Sequence, residues 1–160
     1  MIRFCPKCWN EVPLEAASCP TCSATLIEAL SFTDKLIAAL RHREPTRAGL
    51  AIDILTGWLH EPRAVEPLCE LLDHATDAAI LKQAATGLGR LSDRQAVPAL
   101  ARLLQDPSRA YVARCAAAEA LGHIGGGEAQ HALQVALHDS LTSIRTAAQQ
   151  ALTVRAFNEG

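Results

Sequence analysis

Four of the six cysteines in this chain fall into two identical spacings, Cys5-Pro6-Lys7-Cys8 and Cys19-Pro20-Thr21-Cys22. A CxxC places two thiolates on one tight turn. Two such turns supply the four soft ligands that tetrahedral zinc prefers, with Zn–S bonds of ~2.3 Å. Four protein ligands leave no open position on the metal, so the chemistry expected is a structural Zn²⁺ held by Cys5, Cys8, Cys19 and Cys22. The competing use of a CxxC is a redox disulfide. Two pairs, each outside the strand-then-helix setting of a thioredoxin-like motif, favour the metal.

The matching residues Phe4-Cys5-Pro6-Lys7-Cys8, Asn10-Glu11-Val12-Pro13 and Ser18-Cys19-Pro20-Thr21-Cys22 resemble the short zinc ribbon found at the termini of many bacterial and archaeal proteins. The resemblance covers residues 3 to 26 and gives a ribbon domain over 1–27. The family usually has Gly after each pair, and here those positions hold Trp9 and Ser23. Asn tolerates the left-handed conformation, so Asn10 is expected to take the turn instead. So small a module has little core, and metal binding is expected to supply most of its folding energy.

The elements behind this module are written in the composition. Hydrophobic residues make up 49% but aromatics only 4%, and the apolar content is largely Ala and Leu. That mixture suits closely stacked helices better than a sheet. The formal net charge is −2, and a tetrathiolate zinc site would make it more negative. No global charge therefore draws the chain to nucleic acid or anionic lipid. No run reaches the ~18 apolar residues of a membrane span. The first cysteine pair begins too early for a signal peptide. Close cysteine pairs without a leader point to a reducing compartment and a cytoplasmic protein.

From residue 33 onward one motif repeats. Ala64-Val65-Glu66-Pro67-Leu68 and Ala96-Val97-Pro98-Ala99-Leu100 lie 32 residues apart. One leucine series runs Leu36, Leu68, Leu100, Leu133, and a second runs Leu55, Leu88, Leu121, Leu152. Two interleaved series at one period mean two helices per repeat. First helices are predicted over 34–43, 63–73, 94–105 and 128–138, and second helices over 46–59, 77–90, 108–123 and 140–156. Thr33-Asp34, Glu44-Pro45, Glu61-Pro62, Thr76-Asp77 and Asp106-Pro107-Ser108 read as helix starts. Gly89, Gly122 and Gly125 to Gly127 read as helix ends. Pro67 and Pro98 fall inside predicted first helices and are expected to kink them. No pair can bury its apolar face alone, so the fold class expected is all-α: a solenoid of about four helix pairs over 33–157, preceded by the ribbon.

Ala96 to Leu100, Leu103-Leu104, Asp106-Pro107, Val112, Arg114 and Ala116 to Gly125 resemble the HEAT repeats, specifically the phycobilisome-lyase HEAT-like type. The third repeat matches best, and the first and fourth are degenerate. In such families a basic residue at the position of Arg114 and Arg145, with Lys82 offset by one, bonds an Asp of a neighbouring turn. Asp73, Asp106 and Asp139 recur at nearly that period, which favours an internal ladder over the alternative, an anion-binding stripe. Some HEAT-like hydroxylases bind two irons through His-Glu pairs at the start of second helices. The equivalent positions here hold Lys82-Gln83, Arg114-Cys115 and Arg145-Thr146, and His60-Glu61 lies at a helix end. There is no HExxH and no nucleotide-binding glycine loop. His131 and His138 read as surface residues and Cys69 and Cys115 as core. Trp58 and Tyr111, near opposite ends of second helices, suit an interface and packing at a solenoid end equally.

The main expectation is a non-catalytic scaffold or adaptor that binds another protein, its solenoid right-handed and its ribbon glued to the first repeat by Leu26, Ile27, Leu30 and Phe32. The resemblance implies a second possibility, a bilin lyase or isomerase subunit acting on phycobiliproteins. A third is nucleic-acid binding through the ribbon, whose Arg3 and Lys7 are offset by Glu11 and Glu15. Whether the chain is an enzyme is left open by the sequence.

Overall fold

A computed structural model describes residues 2–5, 7–8, 10–13, 16–26, 31–42 and 44–158. Trp9, Ile27 and Leu30 lie outside the described residues. The chain divides into two compact units, Met1–Lys35 and Leu36–Gly160.

In the first unit, strand β1 (Ile2–Phe4) pairs antiparallel with β2 (Glu11–Pro13), with Arg3 opposite Val12. The first cysteine pair sits on the loop between them, closed by the Cys5 N–H donating to the Asn10 carbonyl at 2.9 Å. A single bridge, Ser18 with Thr25, frames the second pair in the same way. The Cys19 N–H donates to Ala24 at 2.8 Å and the Ser23 N–H to Cys19 at 2.8 Å. Ser23 itself takes the left-handed conformation, with φ of 55°. The residue that replaces glycine after the second pair thus makes that left-handed turn itself. The Asn10 side chain is used otherwise, as described below. Leu26 is buried in the ribbon's own cluster with Cys5, Val12 and Cys19, whereas Phe32 is 63% exposed.

The second unit is a stack of helix pairs, and the first helix in chain order is α1 (Phe32–Ala39). The others are α2 (Pro45–Asp53), α3 (Val65–His74), α4 (Ala78–Leu91), α5 (Val97–Gln105), α6 (Tyr111–Ile124), α7 (Gly127–Ala136) and α8 (Thr142–Asn158). Second helices α2, α4, α6 and α8 contact in series, and α3, α5 and α7 form a parallel row against them. Both leucine series enter one continuous core, with Leu55, Leu68, Leu88, Leu100 and Leu121 fully buried.

Several helix boundaries differ from the sequence expectation for identifiable reasons. Pro67 and Pro98 do not kink helix interiors. Short 3-10 turns, Pro62–Ala64 and Arg94–Ala96, precede α3 and α5, and each proline lies in the first α turn, where its missing N–H has no carbonyl to meet. Helix α1 starts one residue before Thr33, because Ser31 and Asp34 cap it reciprocally. Asp106-Pro107-Ser108 does not begin α6: the Asp106 carboxylate accepts the Ser108 N–H at 2.9 Å and its hydroxyl at 2.6 Å, closing a separate turn before Tyr111. Asp77 caps α4 as expected, accepting the Ala79 and Ile80 N–H groups. Gly89 and Gly122 are not helix ends but lie within α4 and α6. A Cβ on Gly89 would stand 3.0 Å from the Ala120 Cα, and one on Gly122 would stand 2.8 Å from the Ala151 Cβ. They let adjacent second helices touch. Gly125 and Gly126, with φ of 70° and 95°, do terminate α6.

Candidate metal centre and binding surface

The two loops of the ribbon bring all four sulfurs within 4.8 Å of one another. Cys5 and Cys22 are 3.6 Å apart and Cys8 and Cys19 3.5 Å. A tetrahedron with metal–sulfur bonds of ~2.3 Å has edges of ~3.8 Å, so the cage matches a single small, thiophilic ion. Cys5 and Cys19 are buried, while Cys8 and Cys22 are partly exposed. Backbone N–H groups reach the sulfurs. Those of Cys8 and Lys7 favour the Cys5 thiolate over the burial that opposes it. Burial opposes the Cys19 thiolate too, but the N–H groups of Cys22 and Thr21 and the Cys8 and Cys22 thiols hold it at about 6. The Asn10 N–H favours the Cys8 thiolate, but burial and the neighbouring sulfurs together push it to about 12. The other two cysteines stand apart on α3 and α6. Burial pushes Cys69 up to about 11 and also raises Cys115, which suits packing.

The basic residues singled out by sequence take three different positions. Arg114 is buried, donates through Nε to the Leu104 carbonyl at 2.8 Å and pairs with the Asp139 carboxylate. Arg145 donates to the backbone carbonyls of Asp139 (2.8 Å) and Ser140 (3.0 Å) and to the Thr142 hydroxyl. Lys82 is exposed, and Leu81, buried beside it, occupies the place that Arg114 holds one repeat on. Asp73 and Asp106 are met instead by arginines the sequence reading did not select. Arg102 reaches Asp73 at 2.9 Å. Arg109 pairs with Asp106 and donates to the carbonyls of Ala75 (2.6 Å) and Asp73 (3.0 Å). The signal for Arg109 was its position three residues past Asp106, across the turn.

Trp58 is 85% exposed and Tyr111 57% exposed, so neither packs into the core. Trp58 ends a π-helical extension of α2, Ile54–Trp58, in which the Leu59 N–H bonds the Ile54 carbonyl. The buried Thr56 hydroxyl donates to the Ile52 carbonyl at 2.9 Å, and His60 turns the chain away with φ of 46°. Between α4 and α6 lies an open groove of about 380 Å³, lined by Thr86, Arg90, Glu119 and His123 over a floor of Gly89 and Ala120. Glu119 and His123 also border a second hollow of about 210 Å³ against Gly122 and Ala151 of the next pair.

Residues 33–114 and 65–153 match the model of the HEAT repeats. The chain belongs to the HEAT repeat family. Among solved structures, human deoxyhypusine hydroxylase in complex with glycerol is similar, at 28% identity and TM-score 0.67, over 78% of this chain and 43% of that one. A second is the complex of CpcE and CpcF of phycocyanin lyase from Nostoc sp. PCC7120, at 21% identity and TM-score 0.55, over 78% of this chain and 65% of that one. This HEAT protein thus spans less than half of the first structure's chain and under two thirds of the second's. Among curated proteins none matches its sequence. No helix among the described residues is long and apolar enough to cross a membrane. In this HEAT stack Trp58, Tyr111 and the groove belong to second helices, while the buried Arg114, also on a second helix, is turned inward to Asp139 in the turn between α7 and α8.

Proposed function

We propose that the protein is a non-catalytic adaptor whose HEAT repeats dock another protein and whose N-terminal ribbon, residues 1–27, is held by one structural Zn²⁺ on Cys5, Cys8, Cys19 and Cys22. The cytoplasm, where thiolates stay reduced, is the compartment that suits this site. The observation that carries the adaptor reading is the division of labour in the repeats, residues 33–157. Arg114 and Arg145, where a hydroxylase-like site would need metal ligands, are bonded to turn carbonyls and to Asp139. Trp58 and Tyr111 are left on the surface, the residue types that anchor protein interfaces.

The zinc part is tested by metal analysis of protein purified without chelator. One equivalent is expected, lost in Cys5→Ser; well below one equivalent sinks it. The adaptor part is tested by affinity capture from the native host, using wild type, Trp58→Ala and Tyr111→Ala as baits. A partner held by wild type and lost from one variant is expected. A wild-type bait that retains nothing above control at low and moderate salt rules the adaptor out.

A further inference from the structure

A side-chain hydrogen bond joins the two cysteine loops: the Asn10 amide donates to the Thr21 hydroxyl at 3.0 Å. Each partner also stands close to a cysteine in sequence. Asn10 lies two residues past Cys8, and Thr21 two residues past Cys19. The Cys8 and Cys19 sulfurs face each other at 3.5 Å across the cage. The bridge therefore ties together the two loops that carry this facing pair of sulfurs. Asn10 directly follows Trp9, which stands where such ribbons usually have glycine, and Thr21 lies inside the second CxxC. Nothing in the cysteine spacing requires either side chain.

We propose that Asn10 and Thr21 form a positioning bridge that holds the two loops closed on the metal and sets how slowly the ion leaves. This rests on the zinc reading above. Cys8, on the edge the bridge crosses, is partly exposed, and separating the two loops there breaks the bridge. Groups that orient ligands from behind typically change metal affinity by about 10- to 100-fold when removed. A bridge one step further out is expected to change the release rate by about 3- to 10-fold.

The experiment measures zinc release from the full chain into an excess of chromogenic chelator. The proteins are wild type, Asn10→Ala, Thr21→Val, the double variant and Thr21→Ser. The Co²⁺-substituted forms are examined in parallel for the thiolate-to-cobalt charge-transfer band. The single variants should release zinc about 3- to 10-fold faster, and the double variant no faster than the singles, because both remove the same bond. Thr21→Ser, which keeps the hydroxyl, should return toward the wild-type rate. All should keep the four-thiolate cobalt spectrum. Release at the wild-type rate in both single variants, additive effects in the double, or loss of the cobalt spectrum overturns the bridge while leaving the zinc site standing. A wild-type chain that retains no metal overturns both.

Discussion

Arg114 is the bulkiest fully buried side chain among the described residues, and its charge is answered by Asp139 across the boundary between the third and fourth repeats. Taking a guanidinium out of water costs several kcal/mol, which the Asp139 carboxylate and the Leu104 carbonyl offset. Removing one partner leaves the other buried and unpaired, so Asp139→Ala is expected to cost about 3–5 kcal/mol of stability. Arg114→Met, which replaces the charge with apolar volume, should cost less than Arg114→Ala. Chemical unfolding of the variants checks the order, and equal costs for Met and Ala would show that filling the site with apolar volume recovers nothing. The pair also sets a pH dependence. Burial opposes ionisation of Asp139, but the Leu141 N–H and the Arg114 guanidinium, with the Arg145 charge, hold its carboxyl below the usual range. A depressed folded pKa contributes stability that is fully present above the unfolded value of ~3.9 and is lost as pH falls through the folded one. Wild type should therefore weaken on acidification below about pH 4, and Asp139→Asn, weaker throughout, should flatten that part of the profile.

At the scale of the helices, Gly122 and Gly57 make a matched comparison. Both lie within second helices, where Ala would normally be favoured by about 1 kcal/mol. At Gly122 a Cβ would meet the Ala151 Cβ at 2.8 Å and its Cα at 3.1 Å, so α6 and α8 would have to move apart. Overpacking costs typically about 1–3 kcal/mol, which outweighs the propensity gain. At Gly57 the nearest atom is a terminal nitrogen of Arg90, at 3.5 Å, an ordinary contact. Gly122→Ala is therefore expected to lower the melting temperature and Gly57→Ala to leave it level or raise it. If Gly122→Ala melts as high as Gly57→Ala, the close-approach role fails. This contrast marks what sequence can and cannot deliver. The leucine series locate the helix pairs because burial at a fixed period is a local pattern. Gly89 and Gly122 look like terminators in the string, because their reason for being small is an alanine about thirty residues away. Asp106-Pro107-Ser108 has the composition of a helix cap, yet closes its own turn, since Ser108 satisfies the carboxylate first and Arg109 ties the turn back to the previous repeat. The cysteine cage was legible because its ligands are close in sequence, whereas the Asn10–Thr21 bridge depends on two loops meeting.

Across the whole molecule the two units hold themselves together by different means. The repeat unit shares one continuous core, and consecutive repeats are tied by Arg41 with Glu70, Arg102 with Asp73 and Arg114 with Asp139. Such stacks are stabilised by each repeat and by its interfaces with its neighbours. Among the described residues the ribbon's buried cluster is Cys5, Val12, Cys19 and Leu26, and two of them are proposed metal ligands. Apolar burial on that scale cannot offset the backbone entropy of ordering the two loops, at roughly 1–2 kcal/mol per residue. The proposed Zn²⁺ would supply the difference, since structural zinc in such peptides is worth about 10–16 kcal/mol. Stripping the ion with a strong chelator under reducing conditions is therefore expected to collapse the ribbon's amide resonances to random-coil positions, while the helical circular dichroism of the repeats stays near its starting value. Acid should act in the same direction, because protons compete with the metal for the thiolates. Re-adding one equivalent of Zn²⁺ should restore the ribbon resonances. If the helical signal fell in step with metal loss, the ion would be holding the repeats as well as the ribbon, and the division into a metal-stapled unit and a self-sufficient stack would be wrong.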